Sequence, residues 1–262
     1  MNETELLFST VLGCDRASLY LNRDRYLDRR ELDFIASALK RRIRREPIQY
    51  ILGKTEFMGL EFEVNQDVLI PRPETEILVE TAIKYVQGRR VQGKRILDLG
   101  TGSGCIAISL AKYLSGIKID ASDISDRALA TARRNAKLHG VSINFRQSDL
   151  FTPGSGRYDL IVSNPPYIAQ GRLTGLQAEL RFEPEAALNA GPDGLDFYRR
   201  IVSGSPSRLK ENGLLIMEIG FGQAGAVGKI FSRSGKFRVT EIIKDYNQIE
   251  RVIVAGKAEA NG

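Results

Sequence analysis

The chain has 262 residues, 42% of them hydrophobic and 27% charged, with 38 Lys and Arg against 32 Asp and Glu for a net charge of +6. That balance excludes a disordered, collagen-like or low-complexity polymer, and the length suits one medium domain with a small companion. No uncharged run reaches the ~18 apolar residues of a membrane span, and the opening MNETELLFST lacks the basic-then-apolar order of a secretory signal, so a soluble, cytoplasmic protein with no membrane partner is expected.

Residues 1 to about 46 carry short helical patterns and almost no strand signal. Leu32, Ile35, Leu39 and Ile43 recur at helical spacing, and the basic stretch Lys40 to Arg45 continues that helix as a solvated face or a partner-binding patch. Pro47 is expected to end this segment. The run TEFMGLEFEVNQDVLI then alternates around Gly59 as a β-hairpin would, and leads into the rigid PRPETE. The expected division is a helical domain over 1–50, a hairpin linker over 51–73 and an α/β domain over 74–262. In the last, a helix over ETEILVETAIKYV precedes the strands RILDL, IKIDAS, INFRQ, DLIVS and LLIMEIG, which alternate with helices as in a doubly wound sheet. FRVTEIIKD and ERVIVAGKA come next with only a short turn between them, so the sheet should close with an antiparallel pair.

Two distant cysteines, Cys14 and Cys105, and a single histidine, His139, argue against a metal centre, a disulfide framework or a Ser/His/Asp arrangement. Cys105 reads as a small packing residue and His139 as the end of a helix. The chemistry is better sought at the carboxyl ends of the strands. There Asp98 is followed by Gly100, Thr101, Gly102, Ser103 and Gly104, a strand-to-helix turn in which missing side chains let a ligand approach backbone amides. A dinucleotide fingerprint would need glycine at 105, whereas G-x-G-x-G after an acid resembles the S-adenosylmethionine loop of Rossmann-like methyltransferases. Asp123 closes the second strand nineteen residues after Gly104 and suits a ribose diol; Asp120 is the competitor, placed too early on the strand. Asp149 is open between an adenine contact and a helix cap, and Leu150 offers an apolar face. Asp98 either fixes the glycine loop or accepts from the methionine amino group.

The fourth strand ends in Asn164-Pro165-Pro166-Tyr167. Two prolines make this segment extended and leave carbonyls free to accept. A planar NH2 is a poor nucleophile because its lone pair is delocalised. The Asn164 oxygen and the Pro165 carbonyl are suited to accept its two hydrogens, and Tyr167 to stack on the flat group, so alignment replaces a strong base.

DLGTGSG, Asp123, SDLF and NPPY, with the upstream PIQYILG and PRPETE and the downstream FEPEAALNAGPDGLDFYRRI, resemble the release-factor glutamine methyltransferases, the HemK/PrmC family. The resemblance implies a helical domain, a β-hairpin linker and a seven-stranded Rossmann-like sheet with an antiparallel last strand. It implies methyl transfer from S-adenosylmethionine, without a metal, to the glutamine amide nitrogen in the Gly-Gly-Gln loop of class I peptide-chain release factors. Gly100 to Gly104, Asp123, Leu150 and Asn164 would then surround the cofactor, with Asp149 a candidate beside them from its place after the third strand, and Asn164, Pro165, Pro166 and Tyr167 the target glutamine. Leu150 stands where some relatives have an aromatic residue, and Met58 where tyrosine is common. Arg72 and Glu74 would cover the cofactor, meet the release factor, or only form a turn. Glu183 and Glu185 read as solvated loop residues. The rival readings are a DNA adenine-N6 or cytosine-N4 methyltransferase, which poses the same planar-nitrogen problem but leaves no room here for a target-recognition domain, and a non-catalytic adaptor.

Overall fold

The computed structural model describes residues 2–21, 24–88, 94–154 and 156–258. Helices α1 (Glu3–Leu12), α2 (Arg16–Leu21), α3 (Arg29–Ile43) and α4 (Ile48–Leu52) precede the hairpin strands β1 (Lys54–Phe57) and β2 (Leu60–Glu63). The remainder contains α5 (Pro73–Gly88), β3 (Arg95–Leu99), α6 (Cys105–Tyr113), β4 (Lys118–Asp123), α7 (Asp126–Leu138), β5 (Asn144–Gln147) and β6 (Tyr158–Ser163). It ends with α8 (Asp196–Gly204), β7 (Leu209–Glu218), α9 (Ala224–Ser234), β8 (Phe237–Lys244) and β9 (Glu250–Lys257). No helix among the described residues is long and apolar enough to cross a membrane.

Capping boxes start two of the N-terminal helices, Asn2 with Glu5 on α1 and Asp28 with Glu31 on α3. Pro47 opens a helix rather than closing one. It sits at the N-cap of α4, where its missing N–H leaves no helical bond unmade. Ile48 and Ile51 of α4 complete a small core with Leu7, Ile35 and Ala38, while Tyr50 faces the other way, against Val64, Val68 and Ile70. The Tyr50 hydroxyl donates to the Val68 carbonyl at 2.6 Å, so this short helix couples the helical segment to the stretch of chain between β2 and α5. The basic stretch of α3 is largely paired within the chain. Arg41 bonds Glu46 at 2.5 Å, Arg42 bonds Glu3 at 2.8 Å and Glu179 at 3.1 Å, and Arg45 lies 3.6 Å from Glu179.

The hairpin turns through Met58 and Gly59, whose φ angles of +52° and +67° are those of a two-residue type I′ connection. Its inner face buries Phe57 and Phe62. His139, at the end of α7, donates from Nε2 to the Glu61 carbonyl at 2.7 Å and packs its ring 5.1 Å from that of Phe62. A helix-end histidine thus anchors the hairpin.

The seven-stranded sheet has the order β5-β4-β3-β6-β7-β9-β8. The first five are parallel, and β9 runs antiparallel to both β7 and β8. The chain builds outward from β3 to β5 and then crosses to β6 on the other side, which puts the topological switch point between β3 and β6. Helices α5 and α6, with the hairpin, cover one face through Leu78, Val79, Ile106 and Leu110; α8 and α9 cover the other through Tyr198, Ile201, Val227 and Phe231. Cys105 is buried on the first face.

Asn135 of α7, fully buried, joins three of these parts. Its Oδ1 accepts from the Glu63 amide at 2.7 Å, and its Nδ2 donates to the carbonyls of Glu63 at 3.0 Å and Ser103 at 2.9 Å. Leucine at this position leaves three backbone groups unpaired, and Asn135→Leu is expected to lower the unfolding free energy by about 3 kcal/mol in urea titrations.

Candidate active site

Two cavities open at the carboxyl edge of the sheet. One, of about 780 Å³, is lined by Gly100, Gly102, Asp123, Ile124, Asp149, Leu150, Asn164, Pro166, Phe197 and Arg200 among others. The second, of about 560 Å³, lies between α4 and the sheet and is lined by Gln49, Arg72, Glu74, Asn164, Pro165, Tyr167, Glu179, Glu183, Glu218 and Arg251 among others. Leu69, Asn164 and Ala187 border both.

The glycine loop is held by its own backbone bonds as well as opened by its missing side chains. Four of its amides hold the loop: Gly100 and Thr101 donate to the Ser122 carbonyl at 2.8 and 3.0 Å, Gly102 to Asp123 Oδ2 at 2.8 Å, and Gly104 to the Thr101 carbonyl at 2.8 Å. What Gly100 and Gly102 contribute is backbone at φ +70° and +56° with no protein atom within 4 Å of where a Cβ would stand. Thr101, Ser103 and Gly104 lie behind the cavity wall. Thr101 donates to Asp98 Oδ2 at 2.6 Å, and Gly104, at φ +84°, packs so closely that a Cβ would fall 2.9 Å from Ile108 and 3.2 Å from Ala132. Asp98 therefore fixes the loop. It is fully buried, which pushes its carboxyl up to about 7, and its Oδ1 has no hydrogen-bond partner among the described residues.

Asp123 faces the first cavity. Burial raises its carboxyl, opposed by the amides of Ser125 and Gly102 that it accepts. Asp120 does not reach the cavity, being tied to Arg95 at 2.7 Å and Asn144 at 2.5 Å. Asp149 caps no helix; it pairs with Arg200 at 2.7 Å beside the cavity. Leu150 is held at φ +64°, a left-handed conformation unfavourable for a branched side chain, and its carbonyl accepts from Ser122 Oγ at 2.7 Å. Ile124 and Phe197 supply further apolar wall, and no sequence signal singles them out.

The NPPY segment starts where Ser163 Oγ donates to the Leu99 carbonyl at 2.8 Å, which pins β6 to β3. Because the segment is extended, successive residues face opposite ways: Pro165 and Tyr167 line the second cavity and Pro166 the first. Pro166 thus departs from the expectation that it meets the target. Tyr167 is half-buried, and burial pushes its phenol up to about 12. Its carbonyl is clamped by Gln223 Nε2 at 3.0 Å, and its ring lies over Gly220, where a Cβ would come within 2.9 Å of it. Asn164 Nδ2 donates to Thr75 Oγ1 at 3.0 Å, and that hydroxyl donates to Glu218 Oε2 at 2.6 Å.

Arg72 and Glu74 line the second cavity only. Arg72 pairs with Glu183, which corrects the reading of Glu183 as solvated: its side chain is 2% exposed, and Arg72 supplies the counter-charge. Glu185 is exposed, as expected, and accepts from Asn189. Gly104→Ala is expected to cost more stability than Gly102→Ala, about 3 against about 1 kcal/mol by urea unfolding, because both meet the left-handed backbone penalty but only Gly104 also lacks room.

Comparison with known proteins gives the family. A family model described as the PrmC N-terminal domain matches residues 1–53, and one described as the methyltransferase small domain matches residues 73–194. The release factor glutamine methyltransferase of Geobacter sulfurreducens is 47% identical over 253 residues, covering 96% of this chain and 87% of that protein. The protein of the same name from Chlorobaculum tepidum is 41% identical over 258 residues, covering 94% and 87%. Among solved structures, ribosomal protein L11 methylase from Lactobacillus delbrueckii subsp. bulgaricus superposes with a TM-score of 0.54 at 21% identity over 75% of this chain and 84% of that one, a likeness of fold. Sustained over nearly the whole chain, the identity to the first two makes this protein a member of the release factor glutamine methyltransferase family.

Proposed function

We propose that this chain transfers a methyl group from S-adenosylmethionine to the side-chain amide nitrogen of the Gly-Gly-Gln glutamine of class I peptide-chain release factors, in the cytoplasm. The observation that carries the reading is that Asn164 borders both cavities, so a methyl donor in one and an amide in the other would meet across a single side chain.

The residues of the first cavity fit the donor. Gly100 and Gly102 leave open space where side chains would stand, Asp123 presents a carboxylate to a ribose diol, and Ile124, Leu150 and Phe197 offer apolar surface to a base. When bound, S-adenosylmethionine supplies an electrophilic methyl on a sulfonium and leaves as S-adenosylhomocysteine. On this reading Asp149 reaches the adenine amino group only by sharing its carboxylate with Arg200.

The second cavity would take the release-factor loop, with the helical segment over 1–50 as the recognition module and 51–73 as its link to the α/β domain. Asn164 Oδ1 and the Pro165 carbonyl would accept the two amide hydrogens of the glutamine. Tyr167, protonated and clamped through Gln223, would hold the amide plane. Fixed acceptors align the nitrogen lone pair and stabilise the positive charge that develops as the N–C bond forms, which is a gain in orientation and electrostatics rather than in basicity.

Incubation with labelled S-adenosylmethionine is expected to label a full-length release factor, and not its Gly-Gly-Gln Gln→Ala variant or duplex DNA. Label on DNA, or equal label on the variant, overturns the assignment. Asn164→Ala is expected to reduce kcat by about a thousandfold while cofactor affinity, measured by calorimetry, falls only a few-fold.

A further inference from the structure

An amide side chain is nearly symmetric in shape: rotating it by half a turn exchanges an acceptor for a donor. If Asn164 is to accept hydrogens from a substrate amide, its oxygen must face the cavity, and something must prevent the rotated form, which would point a second NH2 at the first. We propose that Glu218, acting through Thr75, is the positioning residue that holds Asn164 in the accepting orientation, an inference that rests on the methyl-transfer reading above.

The polarity of the chain of hydrogen bonds is set by the donors and acceptors that each group carries. An ionised carboxylate only accepts, so Thr75 must donate its single proton to Glu218 Oε2, at 2.6 Å. The Thr75 oxygen is then left with lone pairs facing Asn164, and only the NH2 end of the amide can satisfy them, at 3.0 Å. Oδ1 is turned toward the cavities by elimination. A protonated Glu218 removes this constraint, because it can donate to Thr75 and free the threonine proton for the amide oxygen.

Each element is held for the purpose. Glu218 closes β7 between β6 and β9, and is 2% exposed; Thr75 lies in the first turn of α5, also 2% exposed; Asn164 comes directly after β6. Neither Thr75 nor Glu218 lines the cofactor-side cavity. The charged and titratable groups facing Glu218 come from several elements: Arg251 on β9 and Arg72 before α5 favour its ionised form, and Glu74 on α5 opposes it. Tyr167, Tyr198 on α8 and Cys105 on α6 are all pushed upward by burial and stay neutral. Burial dominates the balance and places the Glu218 carboxyl at about 7, so the accepting polarity is established as the pH rises through neutrality.

The test reads the amide itself in the protein without substrate. The Asn164 side-chain NH2 resonances, identified by their loss in Asn164→Asp, are expected to shift with a midpoint near pH 7 in the wild type, and to show no such midpoint in Glu218→Gln or Thr75→Val. In turnover, Thr75→Val is expected to lower kcat about a hundredfold with the KM for S-adenosylmethionine changed less than about threefold, and Thr75→Ser, which restores the hydroxyl, to recover most of the rate. Glu218→Gln, which still offers an acceptor, should retain measurable kcat but lose the rise through pH 7. The proposal is overturned if the amide resonances do not titrate, if they titrate unchanged in Glu218→Gln, or if serine at 75 is as slow as valine. Failure to label any release factor overturns the functional reading alone, and the resonance titration then decides the relay by itself.

Discussion

A carboxyl group taken out of water depends on hydrogen-bond partners whose positions are fixed, and this site holds two such groups with the same device. Asp98, near the end of β3, is fully buried and accepts from the hydroxyl of Thr101; Glu218, at the end of β7, is nearly so and accepts from the hydroxyl of Thr75. Each threonine belongs to a segment that forms a wall of the site, the glycine loop in one case and the start of α5 in the other. The cost of burying the charge is therefore tied to the geometry of the cavity. A loop that drifted would leave a carboxylate unpaired, which makes the open form of each wall expensive.

Most of the frame was legible in the sequence because it depends on local rules. Apolar runs separated by helical patterns yielded the parallel strands, and the short connection before ERVIVAGKA yielded the antiparallel closure. Asp123 and NPPY fall at strand ends, where a one-dimensional reading places them as well as a three-dimensional one. Less accessible were the features that depend on which segments meet. Glu183 reads as a surface acid beside a proline until Arg72, more than a hundred residues away, is brought against it. The loop amides look available until the Ser122 carbonyl of the neighbouring strand is seen to take two of them.

One overlooked residue did leave a trace. Glu218 interrupts the run LLIMEIG, and an acid inside an otherwise apolar strand is a buried polar group awaiting a partner. That partner, Thr75, lies 143 positions upstream and has no sequence signature. The basic stretch of α3 shows the converse. Five cations in six residues suggest an electrostatic surface, yet three of the arginines are matched by acids of the same chain, and Arg42 spans from Glu3 to Glu179 beside the second cavity. Charge density along a sequence overstates charge presented to solvent.

The position of β9 bears on how the site comes into being during synthesis. Strand β7 carries Glu218, and its outer edge is paired only by β9, residues 250–257, which is inserted between β7 and β8. Until that segment has been made, β7 exposes a long, apolar, unsatisfied edge, and Arg251, which favours the ionised form of Glu218, is missing. Assembly of the sheet from β5 to β7 can run ahead as the chain emerges, but its reactive end is completed by the last strand to appear. An incomplete chain would therefore carry an unpaired apolar edge beside Glu218 until β9 had been made.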